Sequence, residues 1–445
     1  MPNLREALAA ASETKDLRIG WNILAEVVDL LNEQFPNRKT VIIADPTTYR
    51  VAGEAIFNLL ESASIAQLPP FIYTDPYLYA EYTFVDQLVD FLSTNDAIPI
   101  AVGSGTINDL TKLAAHLCSR QYLCVATAAS MDGYTAFGAS ITANGAKQTF
   151  NCPAPQACLA DIAIISKAPK EMTAAGYADL FAKITAGADW ILADRLKIEP
   201  IDDKAWSIVQ GGLHHALSDP EGVRRGDSDA ITKLVEGLML GGFAMQWSKS
   251  SRPASGAEHQ FSHLWNMENH LNKGEHISHG FQVSIGTLAI TALYELLLET
   301  NVQELDVNLA CEQWPDQTNA DAIALKKFEG TDFPEIGLQE TRAKYSTKIE
   351  LSEQLNLLKT DWVQIKMQLQ KQLLPLAESK RRLALVGAPT EPEQIGISRE
   401  KLRETFISAQ FIRRRYTILD LALRTGYFNQ WLDKLFGKEG LWQIN

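Results

Sequence analysis

The histidines of this chain are concentrated in one segment: five of the eight lie between His259 and His279. His259 and His263 are four residues apart, so on a helix they share one face. A second helical stretch follows His279, and two helices that meet can bring His259 and His279 to one point. Because imidazole is the commonest protein ligand of divalent transition metals, the cluster predicts a metal site. Buried or surface histidines without a metal would explain each residue singly, but they explain five together less well.

Two glycines follow an apolar run at residues 98–102. The run leads into Gly103-Ser-Gly105, after which the sequence predicts a helix. Glycines allow backbone N–H groups to approach a pyrophosphate, and the N-terminus of a helix favours its negative charge. The segment therefore indicates a dinucleotide site, although a tight strand-to-helix turn without a ligand explains the glycine pair equally well.

Two further segments follow predicted strands. Small and hydroxyl residues occupy positions 126–135, and ligands of open α/β sheets bind at the carboxyl ends of strands. Asp45 lies at another such end, where it could accept a hydrogen bond from a ribose hydroxyl and disfavour a 2′-phosphate. That interpretation favours NAD over NADP. A turn-capping role for Asp45, just before Pro46, is equally compatible with the sequence.

Asp179 precedes Lys183 by four residues on a predicted helix. A surface ion pair at this spacing would contribute about 0.3–0.5 kcal/mol. However, Asp179 lies among Tyr177, Leu180 and Phe181, which indicates a helix with little solvated surface. A buried carboxylate requires a partner, and a metal ion would be one.

The elements that must position these residues fall into two classes. Five short apolar runs alternate with amphipathic stretches, which predicts a parallel sheet with crossover helices. The runs are residues 40–44, 70–73, 98–102, 122–126 and 161–165. After Pro169 helical periodicity prevails. The sequence therefore predicts an α/β, Rossmann-like dinucleotide-binding domain over residues 1–168 and an all-α metal-binding domain over residues 169–445.

Composition and charge restrict the function classes. An apolar fraction of 46% with 21% charged residues is typical of a soluble globular protein. The net charge of −13 argues against a nucleic-acid partner. The sequence contains no run of about 18 uninterrupted apolar residues, so it predicts no membrane span. The N-terminus has no apolar signal segment, and no pair of the five cysteines has CxxC spacing. These features predict a cytoplasmic protein with reduced thiols.

Several stretches form a combination more specific than any one of them. They are Gly-Ser-Gly-Thr-Ile-Asn-Asp-Leu-Thr-Lys at 103–112, Ser-Met-Asp-Gly-Tyr-Thr at 130–135, Gly-Tyr-Ala-Asp-Leu at 176–180, Ser-Gly-Ala-Glu-His at 255–259, His-Gly at 279–280, Gly-Ala-Pro-Thr-Glu-Pro-Glu-Gln-Ile-Gly-Ile-Ser at 387–398 and Phe-Ile-Arg-Arg-Arg-Tyr-Thr-Ile-Leu-Asp at 411–420. With these motifs the chain resembles the sn-glycerol-1-phosphate dehydrogenase family. This family belongs to the superfamily of metal-dependent polyol dehydrogenases and dehydroquinate synthases.

The resemblance implies a complete site. Asp179, His259 and His279 would bind one divalent metal, with zinc usual and nickel or iron used by some relatives. Asp132 and His263 would contact the substrate. Besides Asp45, the NAD or NADP would be held by two segments, Gly103, Ser104, Gly105, Thr106 and Ile107 in the first and Thr127, Ala128, Ala129 and Ser130 in the second.

The implied reaction is the reversible reduction of dihydroxyacetone phosphate to sn-glycerol 1-phosphate by NAD(P)H, with the metal as Lewis acid. The implied partner is this small phosphorylated substrate, without nucleic acid or membrane, and the family resemblance is compatible with a homo-oligomer. The sequence departs from the family at Ala129, where proline is usual, and at Ala136, where a serine often stands. These departures keep a dehydrogenase of another polyol phosphate as an alternative.

Two other functions stay open on the sequence. A cyclase like dehydroquinate synthase would use a similar metal and NAD, but its site would recruit more cations. The candidates here are Lys112, Lys183 and the arginines at 413–415, and the three arginines are better explained as a solvated or ion-paired helix face. A nucleotide-binding regulatory protein without catalysis is the third possibility, and the retained Asp/His/His set argues against it.

Overall fold

The computed structural model describes residues 4–143 and 146–444. The chain forms two compact units. Unit 1 comprises Met1–Leu180, Lys204–Ser251 and Leu385–Gly387, and unit 2 comprises Phe181–Asp203, Arg252–Ala384 and Ala388–Asn445. The predicted boundary after residue 168 therefore differs from this division, in which a long helical segment belongs with the sheet.

The described residues contain ten strands. They are β1 (Asp16–Gly20), β2 (Thr40–Ala44), β3 (Phe71–Ile72), β4 (Ile98–Gly103), β5 (Leu123–Ala126), β6 (Ala139–Ala143), β7 (Ala146–Phe150), β8 (Ala157–Asp161), β9 (Leu271–Asn272) and β10 (Glu275–His276). Six of them form one sheet in the order β1-β8-β5-β4-β2-β3, and every pairing in it is parallel. The predicted parallel α/β architecture of the N-terminal part is confirmed.

Eight α-helices lie among the described residues up to position 181. They are α1 (Leu4–Ala10), α2 (Val27–Gln34), α3 (Pro46–Thr48), α4 (Glu54–Ser62), α5 (Tyr82–Thr94), α6 (Gly105–Leu117), α7 (Ile162–Ile165) and α8 (Lys170–Phe181). Apolar side chains of β2, β4, β5 and β8 are fully buried and pack against residues of α2 and α4. Strands covered on both faces read as near-continuous apolar runs, which explains why the sequence shows them clearly.

The remainder is helical apart from the hairpin of β9 and β10. The helices are α9 (Lys183–Arg195), α10 (Asp203–Gln210), α11 (Leu213–Ala216), α12 (Pro220–Arg225), α13 (Ser228–Ser248), α14 (Ala257–Met267), α15 (His279–Glu299), α16 (Val307–Gln313), α17 (Gln317–Lys327), α18 (Pro334–Lys344), α19 (Lys348–Thr360), α20 (Trp362–Gln372), α21 (Leu376–Val386), α22 (Arg399–Ala409), α23 (Ile418–Arg424) and α24 (Phe428–Phe436). A predominantly helical C-terminal part is thereby confirmed.

Helix α15 is the core helix of unit 2. It is the one helix among the described residues that is long and apolar enough to cross a membrane, and 78% of its apolar window is buried inside the structure. It packs against α14 along much of its length. At their contact, a β-carbon on Gly286 of α15 would lie 2.5 Å from the carbonyl oxygen of Glu258 on α14. Glycine therefore sets the close approach of the two helices that carry the histidines.

Candidate functional site

The two segments predicted to hold a dinucleotide leave the same edge of the sheet. Gly103, the last residue of β4, is the register partner of Ala126, the last residue of β5. The N–H of Thr127 donates to the carbonyl oxygen of Gly103 at 3.0 Å. The strand pairing thus brings residues 103–107 and 127–130 together at the carboxyl edge, where ligands of open parallel sheets bind.

The glycine turn leads directly into α6. Ser104 is the N-cap residue, yet its side chain makes no capping hydrogen bond, so it leaves the first N–H groups of the helix to other acceptors. A β-carbon at Gly103 would lie 2.6 Å from the side chain of Ile107, so the turn requires glycine there. Thr106 and Ile107 form the first turn of the helix. The arrangement suits an anionic group at the helix N-terminus.

Asp45 adopts the capping role that the sequence left open. Its Oδ1 accepts hydrogen bonds from the N–H groups of Thr47 at 2.7 Å and Thr48 at 2.9 Å, at the start of α3. Asp45 follows β2 and so also lies at the carboxyl edge of the sheet. Contact with a ribose stays a prediction.

A fully buried lysine holds the segment after β5. Lys112 donates from Nζ to the carbonyl oxygens of Gly133 at 2.9 Å and of Ala136 and Gly138 at 3.0 Å. The Tyr134 hydroxyl donates to the carbonyl oxygen of Ala128 at 2.6 Å. The ammonium of Lys112 therefore stabilises the backbone of this segment. This contact does not favour the cyclase alternative, for which Lys112 was a candidate cation.

The same segment packs on α8. A β-carbon at Gly176 would lie 1.9 Å from the carbonyl oxygen of Ala129 and 3.1 Å from the Cα of Ser130. Three residues later, Asp179 is fully buried, and its Oδ2 accepts a hydrogen bond from the backbone N–H of Asp132 at 3.0 Å. One predicted metal ligand therefore fixes the backbone of a predicted substrate residue.

His259 lies on the first turn of α14, and its ring is oriented by the preceding residue. Nδ1 of His259 is 2.7 Å from Oε1 of the fully buried Glu258. Burial alone would raise the pKa of Glu258, but the hydrogen bond and the charge of His259, with the hydrogen bond from the backbone of Gly256, hold that pKa below its usual value. A charged carboxylate only accepts, so Nδ1 of His259 carries a hydrogen, and in the neutral ring, the form that binds a metal, Nε2 has the lone pair.

His279 begins α15 and is oriented in the same way. Its Nδ1 is 3.0 Å from the hydroxyl oxygen of Ser262, and that hydroxyl donates to Oε1 of Gln282 at 2.6 Å. A hydroxyl has one hydrogen, so Ser262 accepts from His279. Nε2 of His279 therefore also presents a lone pair.

The three predicted ligands form one group. A carboxylate oxygen of Asp179 and a ring nitrogen of each of His259 and His279 lie within 4.8 Å of one another. The two imidazole centroids are 5.1 Å apart. One carboxylate with two neutral imidazoles is a donor set that divalent transition metals accept.

The remaining histidines of the cluster differ in their surroundings. His263 lies one turn beyond His259, with its ring centroid 6.4 Å from that of His279. Nη2 of Arg413 donates to Nε2 of His263 at 3.3 Å. His270 contacts the carbonyl oxygen of Ile395 at 3.0 Å, and His276 is exposed on β10.

Two local predictions were wrong. The spacing of Ser255 and Glu258 is that of a capping box and predicts Ser255 as the N-cap of α14, but the N-cap is Gly256, no side chain caps the helix, and Glu258 accepts from the Gly256 N–H at 2.6 Å. Residues 413–415 do not lie on a helix face but in the segment before α23, where Arg414 forms an ion pair with Glu340 at 2.7 Å.

Sequence reasoning also missed the residues that orient the ligands. The capping-box spacing of Glu258 conceals its role, and its position next to His259 is the signal that could have found it. Ser262 and Gln282 depend on the packing of α14 against α15, for which the sequence carries no comparable signal.

Comparison with known proteins places these motifs in context. A family model described as iron-containing alcohol dehydrogenase matches residues 18–169. The glycerol-1-phosphate dehydrogenase (NAD(P)+) of Halalkalibacterium halodurans is 33% identical over 286 residues, which are 64% of this chain and 71% of that protein. The enzyme of the same name from Bacillus velezensis is 32% identical over 338 residues, 74% of this chain and 85% of that protein.

A solved structure shares the fold at low sequence identity. The crystal structure of sulfoacetaldehyde reductase from Bifidobacterium kashiwanohense in complex with NAD+ has a TM-score of 0.57 and 16% identity. The match covers 94% of this chain and 97% of that one, so the likeness in fold extends over both units.

Proposed function

We propose that this chain, which belongs to the glycerol-1-phosphate dehydrogenase family, catalyses the reversible NAD(P)H-dependent reduction of dihydroxyacetone phosphate to sn-glycerol 1-phosphate. The observation that carries the proposal is the grouping of one carboxylate and two imidazoles within 4.8 Å. The family relatives supply the reaction, and this donor set supplies a place for the divalent metal that such a reaction uses.

Asp179, His259 and His279 would hold the metal, with zinc favoured and nickel or iron as alternatives. The fit rests on the hydrogen bonds described above: each imidazole donates from Nδ1, to Glu258 or to Ser262, as metal-bound histidines do. When bound, the metal supplies Lewis-acid polarisation of a substrate oxygen.

Other residues position the reactants. His263 accepts from Arg413 at Nε2, so its ring hydrogen lies on Nδ1, and His263 would contact the substrate. Asp132 would contact the substrate from the backbone position fixed by Asp179. Residues 103–107 and 127–130, with Asp45, would hold NAD or NADP, whose bound form supplies the hydride. Asp45 favours NAD, because a carboxylate repels a 2′-phosphate.

The proposal includes a small phosphorylated substrate and a cytoplasmic location. A homo-oligomer would be compatible with it. A dehydrogenase of another polyol phosphate is the related alternative, and it would share the metal and cofactor sites.

The test is NADH oxidation by the purified protein loaded with zinc or nickel, with dihydroxyacetone phosphate as substrate. We expect turnover that a chelator abolishes and that unphosphorylated dihydroxyacetone does not support. Bound metal and bound NADH without turnover would overturn the assignment of this substrate. Other polyol phosphates and a cyclisation assay without net NADH consumption would then be examined.

A further inference from the structure

Arg413 stands apart from the two arginines that follow it. It comes directly after a 3-10 turn at Gln410–Ile412 and has an extended backbone, with φ −147° and ψ 139°. The neighbouring side chains of Ile412 and Tyr416 are buried, so they fix the segment from both sides. The backbone that carries Arg413 is thereby anchored in unit 2, and the guanidinium contacts His263 of the same unit.

The hydrogen-bonding capacity of Arg413 is largely unused. Within the part of the chain that the structure describes, its side chain makes one hydrogen bond, to the Nε2 of His263, and no ion pair. A guanidinium has five N–H donors. Arg414 by contrast bonds Glu340 through its backbone N–H, Nε and Nη2, and Arg252 pairs with Glu199 at 3.0 Å.

The surroundings of Arg413 are rich in positive charge. Arg415 donates to the carbonyl oxygen of Ser255, next to the start of α14. Burial, together with the charges of Arg252 and Arg413, lowers the pKa of Arg415 to about 9. The charge of Glu340 acts on Arg413 and that of Glu258 on Arg415, but the carboxylate oxygens of Glu340 are hydrogen-bonded to Arg414 and Glu258 is hydrogen-bonded to His259. An incoming dianion would therefore be attracted to this place.

Arg413 also lies beside the proposed metal ligands. Its partner His263 is one helical turn from His259 on α14, and the rings of His263 and His279 are 6.4 Å apart between centroids. A substrate whose oxygen reaches the metal would present its other end to this neighbourhood.

We propose that Arg413 binds the phosphate group of the substrate and so determines the preference for a phosphorylated ketone; this inference rests on the proposed function. A planar guanidinium suits the purpose, because two parallel N–H groups match two phosphate oxygens. The hydrogen bond to His263 holds the plane of the guanidinium while other N–H groups stay available. His263 thereby links the phosphate position to the metal position.

The test compares Arg413→Gln and Arg413→Lys with the matched control Arg414→Gln. Arg414 is the adjacent arginine, its side chain is 68% exposed, and it is paired only with Glu340. We expect Arg413→Gln to raise KM for dihydroxyacetone phosphate by about 10- to 100-fold, as expected for loss of hydrogen bonds to a charged group, with a smaller change in kcat. Arg413→Lys keeps the charge without the planar fork and should give an intermediate KM.

A binding measurement makes the result independent of turnover. Inorganic phosphate is titrated calorimetrically into each metal-loaded protein, and the Tm and metal content of each variant are recorded as folding controls. We expect phosphate to bind the wild type and Arg414→Gln, and to bind Arg413→Gln at least tenfold more weakly.

The KM values, the phosphate affinities and the turnover of the wild type distinguish a failure of the role of Arg413 from a failure of the proposed function. Equal KM values and equal phosphate affinities in Arg413→Gln and Arg414→Gln would overturn the role of Arg413, while turnover by the wild type would leave the function standing. Absence of turnover by the wild type would remove the proposed function, and the calorimetry would still decide whether Arg413 binds phosphate. If Arg413→Gln fails to fold, Arg413→Lys carries the same comparison.

Discussion

The hydroxyl of Ser262 accepts from Nδ1 of His279 at 3.0 Å and at the same time donates to Gln282 at 2.6 Å. The serine therefore selects the tautomer of a histidine 17 residues away. Because this hydroxyl has no second hydrogen to offer, Nδ1 of His279 carries the hydrogen, and in the neutral ring the lone pair lies on Nε2.

Ser262→Ala should weaken metal binding without removing a ligand. Loss of a hydrogen bond that orients a metal-bound histidine typically costs 10- to 100-fold in metal affinity. Competition with a chelator measures that affinity. Ser408→Ala is the matched control, since Ser408 is also buried and bonds only within its own helix, to the carbonyl oxygen of Glu404. Equal affinities in the two variants would contradict the role assigned to Ser262.

Asp179→Asn should abolish both metal retention and turnover. The substitution removes the one anionic ligand and exchanges an acceptor of the Asp132 N–H for an amide. Metal content per chain and NADH oxidation are measured together. Asp227→Asn, at the N-cap of α13, serves as the control for loss of a carboxylate that caps a helix. An Asp179→Asn variant with full metal and full activity would exclude Asp179 from the site.

Asp189 should make the stability of the protein dependent on pH. Its carboxylate accepts from Ala257 N–H at 2.7 Å, the Tyr294 hydroxyl at 2.6 Å and Ile418 N–H at 2.9 Å. Burial, and next the charge of Glu258, raise its pKa to about 7 from 3.8. The folded state then binds the proton more tightly than the unfolded state does. A rise of this size corresponds to roughly 4 kcal/mol.

Proton linkage sets the direction in which the stability changes with pH. The stabilising contribution is fully present below about pH 4 and is lost as pH rises through 7, because the unfolded chain releases the proton first. We expect the Tm of the wild type, relative to Asp189→Asn, to fall between pH 4 and pH 7. The readout is this slope rather than the absolute Tm, since an amide nitrogen cannot accept from Ala257. Parallel Tm profiles of the two proteins would refute the assignment.

Gly176→Ala should disturb the cofactor segment. The new methyl group would lie 1.9 Å from the carbonyl oxygen of Ala129, so either α8 or the backbone after β5 must move. Overpacking of this kind costs about 1–3 kcal/mol or more. We expect a lower Tm and weaker NADH binding by fluorescence titration. In the control Gly212→Ala, the methyl group meets only Leu240, at 3.6 Å. NADH affinity equal to that of the control would count against the predicted role of residues 127–130.

The sheet was largely predictable because its strands are buried on both faces. The apolar run at 40–44 coincides with β2, and the run at 98–102 is β4 without its final glycine. β1 was missed because Asp16 and Arg18 interrupt its apolar pattern, and all its residues are partly exposed. The prediction of a strand over residues 161–165 was wrong. Asp161 ends β8 and caps α7 through the N–H of Ala163, and a short buried run does not distinguish strand from helix.

The candidate ligand residues of the site could be predicted from the sequence, but their hydrogen-bond partners could not. The spacing of His259 and His263 indicates a shared helix face, and the family motifs point to Asp179 and His279. The partners of these residues could not be predicted, because Ser262 and Arg413 reach the histidines through packing over 17 and 150 residues. Residue types in a motif identify ligands, whereas the hydrogen bonds that fix their tautomers depend on the folded helices.

The three bonds from Lys112 have a consequence for cofactor affinity. Its ammonium lies inside unit 1, 3.6 Å from Asp109, and ties together the carbonyl oxygens of Gly133, Ala136 and Gly138. Ordering a loop residue costs about 1–2 kcal/mol of conformational entropy, and here that loss has been incurred during folding rather than on encounter with a nucleotide. In the proposed function, a nucleotide held by the preceding residues 127–130 would meet a backbone ordered in advance, so more of its interaction energy would be expressed as affinity.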